Sequence, residues 1–456
     1  MNKRVASSPG AVTPVPFPRN PRRAAAALAR TLATTSGSAA DWFRYGELLA
    51  AERHFAAAAI AFLEALERSP ANSKYVRALA AALSHCRRYE EAIALRERLQ
   101  FPNEQDVAGL ADDLRYLHAF ARAIAVVDTA EADGRAGDHA RVVRGQAKLF
   151  LGDYAGGFAD MEHRFAAGMA RAPVPTPRVA WDGSPSAGLK LLVVPDQGLG
   201  DDLMMARFLP RLAAAGLACT FLARPPLQRL LAVSPLGCEV AGSIDDVSRF
   251  DAWCAIGSLP HLLRLSAAPP RPAPLAVPET AARRGRALAA PFAGVFKVGI
   301  CWTGNPDFPR NRQRSIEPAM LLPLLELPGT RFFSLCTGAA RAALDAAALA
   351  GVVVDACRDD RDLADTAGLI EQLDLVISTD TSIVHLAASL GKPVWNLLPH
   401  ESFWQYGTTG SSTPWYPTMR LLRQPLRGDW HSVVEDARTA LDRLVQARPR
   451  GTNRSS

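Results

Sequence analysis

The sequence predicts an α + α/β protein, with a helical repeat region followed by two α/β units built on parallel sheets. Three observations carry this. Small and aromatic residues recur at a spacing of about 34 within residues 39–170. Beyond residue 171, short apolar runs alternate with helical patterns, the order that crossover connections impose on parallel strands. The stretch Leu373–Pro393 (LDLVISTDTSIVHLAASLGKP) reads as a complete strand, turn and helix. Its apolar run ends at Ser378, Ser382–Leu390 repeats at helical spacing, and Gly391 and Pro393 end the helix.

A chain of 456 residues can bury the cores of two to four domains. The net charge of +7 is scattered rather than blocked, and no zinc finger, aromatic–basic motif or recognition helix accompanies it. An anionic small ligand suits that balance, and nucleic acid is not expected as a partner. Seven widely spaced cysteines without a CxxC pair read as reduced core thiols of a cytoplasmic protein. No apolar run is long enough for a transmembrane segment. Residues 1–38, rich in Pro, Ala, Ser and Arg, read as a disordered basic lead-in ending in a short helix; Arg30 interrupts its apolar stretch and argues against a signal peptide.

Trp42, Gly46, Phe55, Ala58, Phe62, Ala65 and Pro70 occupy the positions that a tetratricopeptide repeat uses. Small residues stand where paired helices cross, aromatics fill the gaps, and proline ends the second helix. One period further on come Tyr89 and Ala92; a worn unit follows at Phe120, Ala123 and Ala130, and a last one at Gly145, Gly152-Asp153-Tyr154 and Gly157. Three or four repeats forming an α-solenoid over residues 39–170 are expected, with a non-repeat bundle as the alternative. Such a surface docks partners and carries no chemistry itself.

The first α/β unit is expected over 171–290, after a linker at Ala172–Pro177, with strands at Leu189–Pro195, Ala218–Leu222, Glu239–Val240 and Ala252–Ile256. A Pro- and Ala-rich joining segment over 268–293 leads to the second unit, 291–430. That unit has strands at Lys297–Trp302, 331–335, 352–354, Leu373–Ser378 and Val394–Leu398. A C-terminal helix (431–446) and a loose tail (447–456) complete the chain.

A ligand of two such sheets binds at the carboxyl ends of their strands. The rear unit offers an anion site: backbone amides after Asp380, the Thr381 hydroxyl, Ser382, His385 one helical turn on, and the polar loop 303–314 with Gly304, Asn305, Arg312 and Arg314. Equally, Thr381 only caps the helix and His385 lies on a surface. The front unit offers Gly198 and Gly200, which let backbone approach a ligand, and the carboxylates Asp201 and Asp202. An acid facing fixed positive charge suits displacement of a diphosphate by a hydroxyl. A helix N-terminus weakens Asp201 as a base, burial strengthens it, and a pure capping role stands beside both. Asp359-Asp360-Arg361-Asp362 reads as a solvated helix start rather than a metal site.

Six motifs, in order, carry a resemblance. They are Asp196-Gln197-Gly198-Leu199-Gly200-Asp201 with Ala206–Pro210, Trp302–Pro306, Arg312–Ile316, Asp380–Ala387, Gly391–Trp395 and Ser412–Pro417. Together they resemble bacterial tetratricopeptide proteins whose C-terminal domain is similar to glycosyltransferase family 9, the heptosyltransferase family, over roughly residues 40–445. The resemblance implies a two-lobed GT-B fold of two Rossmann-like domains, a nucleotide-sugar donor held as substrate by the rear lobe, inversion at the anomeric carbon, and no cofactor or metal. Asp201 then matches the family's base, Asp380, Thr381 and His385 its donor motif, and Arg314 a basic residue toward the diphosphate. Departures are Asp196 for glutamate, Asp202 for a small residue, Met204-Met205 for a more polar pair, and His400–Tyr406, where Trp404 either stacks on a base or fills the core. The leading expectation is a cytoplasmic glycosyltransferase whose repeats recruit a protein or glycan acceptor, as in the similarly built protein O-GlcNAc transferases. The alternatives are a catalytically silent scaffold, to which Asp202 adds weight, and a sugar-nucleotide epimerase.

Overall fold

The computed structural model describes residues 18–172, 176–184, 186–349 and 351–447. The lead-in before residue 18, the middle of the 172–177 linker and the tail from 448 lie outside the described residues. The described part of the lead-in is a helix, Pro21–Thr34, whose Asn20 side chain accepts from the Arg23 amide at 2.9 Å.

Helices then come in pairs: Ala39–Ala51 with Phe55–Arg68, Ser73–His85 with Tyr89–Arg96, Glu104–Tyr116 with Phe120–Ala132, and Asp138–Phe150 with Tyr154–Met161. The first two pairs start 34 residues apart. The third starts three residues early because Tyr89–Arg96 has 8 residues where Phe55–Arg68 has 14. That deletion throws the period out of step and explains the worn look of the third unit. Within the first pair, a Cβ on Gly46 would stand 2.4 Å from the Phe62 ring, so the crossing needs glycine.

By compactness the chain divides between Ala140 and Arg141, inside the helix Asp138–Phe150. The expected boundary at 170 lies thirty residues later. The difference has a physical cause. Leu149 and Phe158 sit in the same apolar core as the sheets, Phe158 meets Trp404 and Trp415 edge-on, and the Arg164 guanidinium donates to Asp196 at 2.7 Å.

The first sheet contains β1 (Lys190–Val194), β2 (Ala218–Leu222), β3 (Glu239–Ala241) and β4 (Ala252–Ala255) in the order β3-β2-β1-β4. The second contains β5 (Phe296–Cys301), β6 (Thr330–Ser334), β7 (Val353–Val354), β8 (Leu375–Thr379), β9 (Val394–Leu398) and β10 (Met419–Arg423) in the order β10-β9-β8-β5-β6-β7. All pairings are parallel. β8 and β9 are buried along their full length, as their unbroken apolar runs require.

Three local readings differ from the structure. The Pro- and Ala-rich joining segment contains a helix, Glu279–Ala289, because alanine and arginine favour helix once Pro278 is passed. The helix after β1, which the sequence pattern places at Leu203–Ala215, begins at Leu199 with Gly198 as its cap, so Asp201 and Asp202 lie in its first turn. β10 was masked in the sequence by Pro417 and by outward-facing Arg420.

The helix Glu279–Ala289 packs on Leu363–Ile370 through paired glycines. A Cβ on Gly368 would fall 2.1 Å from the Ala281 carbonyl oxygen, and one on Gly285 would fall 1.9 Å from that of Gly368. Backbone cannot yield there as a flexible side chain would. Gly368→Ala is expected to cost about 1–3 kcal/mol or more, read as a fall in Tm, whereas Gly351→Ala, which meets nothing within 4 Å, should leave Tm unchanged.

Candidate active site

Each sheet reverses its winding beside its first strand. In the first sheet β2 and β3 lie to one side of β1 and β4 to the other; in the second, β6 and β7 lie to one side of β5 and β8–β10 to the other. Loops leaving the two strands at such a point splay apart and open a crevice. The loops that leave β1, β5 and β8 carry most of the residues singled out from sequence.

After β8, Asp380 leads to Thr381, the N-cap of the helix Ser382–Ser389. The Thr381 hydroxyl accepts from the Ile383 amide at 3.2 Å and lies 3.2 Å from the Ser378 hydroxyl. It therefore serves the helix, and the capping reading describes its geometry. His385 is neither on a surface nor open to a ligand. It is 5 % exposed, with Nδ1 3.0 Å from the Tyr416 hydroxyl and Nε2 3.4 Å from that of Tyr406. Burial, reinforced by Arg207 and Arg314, lowers its pKa to about 3, so the ring is neutral. The expected convergence of hydroxyl and imidazole on one ligand point is thus not what forms. Ser382 remains half-buried at the helix start.

Asp380 is buried and accepts from the Tyr406 hydroxyl at 2.8 Å. Burial lifts its pKa to about 6 against the pull of Arg314 and of that hydrogen bond, and the Asp201 charge adds to the rise. In the loop after β5, Arg314 lies over the Phe308 ring (4.6 Å to its centre) and donates from Nε to Asn311 Oδ1 at 3.3 Å. A Cβ on Gly304 would come within 2.8 Å of the Arg314 guanidinium and 3.3 Å of the Thr381 methyl, so glycine lets this cation approach the helix start. Arg312 and Asn305 are exposed; the Asn305 side chain accepts from the Asp307 amide at 3.0 Å and shapes the turn.

On the facing side, Gly200 seats against His385: a Cβ there would be 2.7 Å from ring Cδ2 and 3.5 Å from the Ser382 Cα. Asp201, one residue on and half-buried, accepts from the Gly198 amide at 2.9 Å. Burial raises its pKa more than that amide lowers it, and nearby Asp196 raises it further. The conflict between helix end and burial is settled in favour of a stronger base. Asp202 points the other way. It is fully buried with Arg224 at 3.3 Å, and burial pushes its pKa up to about 8. It adds no charge to the cleft near neutral pH. Trp404 packs edge-on against Trp415 and Phe158, which is a core position.

Sequence reasoning missed the residues that hold this arrangement. Tyr406 and Tyr416 stand in motifs read only for their outline, although a phenol inside a buried run must find a hydrogen-bond partner. Arg207, buried within the run Met204–Pro210, donates to the Met204 and Trp415 carbonyls at 2.7 and 2.8 Å and ties the two sheets' loops together. Arg229 does the same with Asp362 and Asp365 at 3.0 and 3.1 Å. The acidic run is a helix start as expected, but Asp360 is buried against Arg284 rather than solvated. Among the described residues no three His, Cys, Asp or Glu side chains gather as metal ligands would. A cavity of about 720 Å³, lined by Lys190, Ser234 and Cys238 among others, shares no residue with this site.

Residues 359–400, which span the Asp380–His385 motif, match the family model described as glycosyltransferase family 9 (heptosyltransferase). The chain is 29 % identical over 320 residues to Protein FlbA of Caulobacter vibrioides, covering 64 % of this chain and 53 % of that protein, so it spans about half the length of that curated relative. Solved structures similar to it include a family 9 glycosyl transferase from Veillonella parvula (12 % identity, 59 % of this chain and 100 % of that one, TM-score 0.44). They also include the Escherichia coli ADP-heptose lipopolysaccharide heptosyltransferase II (15 %, 57 % and 100 %, TM-score 0.43) and an O-GlcNAc transferase of Thermobaculum terrenum (14 %, 94 % and 95 %, TM-score 0.30). The chain joins tetratricopeptide-type helix pairs to a glycosyltransferase family 9-like part.

The Asp202 environment gives a signed pH effect. A carboxyl whose folded pKa exceeds its unfolded value stabilises fully below the unfolded pKa and loses that contribution as pH rises through the folded one. Here the window runs from 3.8 to about 8. Asp202→Asn should therefore match wild type in Tm near the bottom of that window and exceed it progressively toward the top, in thermal melts across the range. A constant offset would contradict the assignment.

Proposed function

We propose, from the premise that the rear part is a glycosyltransferase of the family 9 type, that this protein is an inverting GT-B enzyme. In this reading it moves a sugar from a nucleotide-diphosphate donor to a protein or glycan acceptor. The observation that carries the proposal is the facing pair: half-buried Asp201 on one side, and Arg314 beside the start of the Ser382 helix on the other.

Asp201 takes the proton of the acceptor hydroxyl as its oxygen attacks the anomeric carbon. The bond from that carbon to the diphosphate breaks on the opposite face. Negative charge then grows on the departing diphosphate, beside the Arg314 guanidinium and the positive end of the eight-residue helix Ser382–Ser389. This reading needs no divalent metal, because fixed positive charge takes that part. Gly304 and Asn305 shape the loop that brings Arg314 in. Asp202, which on sequence grounds favoured a silent scaffold, is buried and held protonated near neutral pH, so it does not burden the base.

The helix pairs supply acceptor docking in this proposal, arranged as a solenoid. A groove of about 440 Å³ among the second and third pairs, lined by Leu99, Val107, Leu110 and Val126 with charged residues of both signs at Arg122 and Glu97, suits an extended segment with apolar side chains.

Incubation with a panel of nucleotide sugars tests the proposal. Release of a nucleoside diphosphate that Asp201→Asn lowers by about 10²-fold or more supports transfer; binding without turnover supports a silent sensor. Arg314→Ala should weaken nucleoside diphosphate binding roughly tenfold or more with an unchanged Tm. Removal of the chain up to Ala140, rather than to 170, should spare donor hydrolysis and abolish acceptor modification.

A further inference from the structure

His385 sits in a chain of four hydrogen-bonding groups whose polarity is fixed by counting hydrogens. The Tyr406 hydroxyl has one hydrogen, and it lies 2.8 Å from Asp380 Oδ1 and 3.4 Å from His385 Nε2. A carboxylate only accepts, so that hydrogen goes to Asp380. Toward the ring the phenol oxygen can then only accept, and Nε2 must carry a proton. Nδ1 is left bare, and it takes the hydrogen of Tyr416, whose oxygen is 3.0 Å away. We propose that Tyr406 and Tyr416 are positioning residues that hold His385 as a neutral ring protonated on Nε2, and that Tyr406 links this ring to Asp380 at the start of the Ser382 helix.

The surroundings agree. Arg207, 4.8 Å from the Tyr416 ring centre, and Arg314 both oppose a positive charge on His385, and the acids that face this network are Asp380 itself and Asp201 across the cleft. The edge of the ring that bears Cδ2 and Nε2 is the surface on which Gly200 seats, at 2.7 and 3.2 Å for a notional Cβ. Locking the ring therefore sets the gap between Asp201 and Asp380. That consequence for catalysis rests on the reading of the site as a glycosyltransferase; the proton assignment does not.

The test uses the full chain with ¹⁵N-labelled histidines, nine in all, read by long-range ¹H–¹⁵N correlation, with His385→Gln to assign the resonance. The expected result is an Nε2–H, bare-Nδ1 ring above the Asp380 titration, where that group is a carboxylate, and a ring that stays neutral to about pH 5, well below the ordinary titration. In Tyr416→Phe the bare Nδ1 should shift to the position of a nitrogen without a hydrogen-bond donor. In Tyr406→Phe the tautomer should become mixed. Because Asp380 then loses a hydrogen bond that holds its pKa down, its carboxyl should titrate at higher pH than in wild type, read from the ¹³C-labelled aspartate signal.

Phe variants that lower Tm but leave the tautomer and the Asp380 titration in place would make both tyrosines merely structural and overturn the proposal. So would a wild-type ring protonated on Nδ1, or one that titrates near its ordinary value. If a variant fails to fold, the wild-type tautomer and its titration decide alone. If no nucleotide sugar is turned over, the functional reading fails while the spectra still judge this assignment.

Discussion

The site depends on one close approach, the backbone of Gly200 against the edge of the His385 ring. Both sides of that contact are constrained. Any side chain at position 200 would overlap the ring, and a positive charge on the ring would have to be buried beside two arginines. The neutral imidazole is therefore a structural requirement before it is anything else. From it follow the two phenols that satisfy its nitrogens and the Arg207 bridge that fixes Trp415 and Tyr416.

Three neighbouring acids show how environment divides one residue type among roles. Asp196 is paired with Arg164 and also accepts from the Gly257 amide at 3.3 Å. Asp202 is sealed in with Arg224 and held toward its neutral form. Asp201 alone keeps a partly open face, with a pKa raised by burial in spite of its capping bond. Chemistry that needs a proton acceptor near neutral pH has a single suitable carboxylate among the three. A near-identical neighbour one position along is excluded simply because helical geometry turns it inward.

Much of this was legible in the sequence because the signals were local. The strand–turn–helix at Leu375–Ser389, the cap at Thr381, the stop at Gly391 and the glycine beside Asp201 each follow from a few adjacent residues. What escaped was set by tertiary context. The inward turn of His385 depends on phenols some 20 and 30 residues away in sequence. The helix Glu279–Ala289 is specified by its glycine-to-glycine fit with Leu363–Ile370 as much as by propensity. The third helix pair looked degenerate only because a short helix before it broke the period.

The fourth helix pair has a consequence for modular exchange. By sequence it ends an array; by contacts it is a foundation, since Phe158, and Arg164 just beyond the pair, reach the aromatic cluster and Asp196 in the loop after β1. A recombination joint after residue 170, the natural place to cut by eye, would take that foundation away with the donor array. A joint near residue 140 would leave it in place, so chimaeras that trade one set of helix pairs for another have a defined seam.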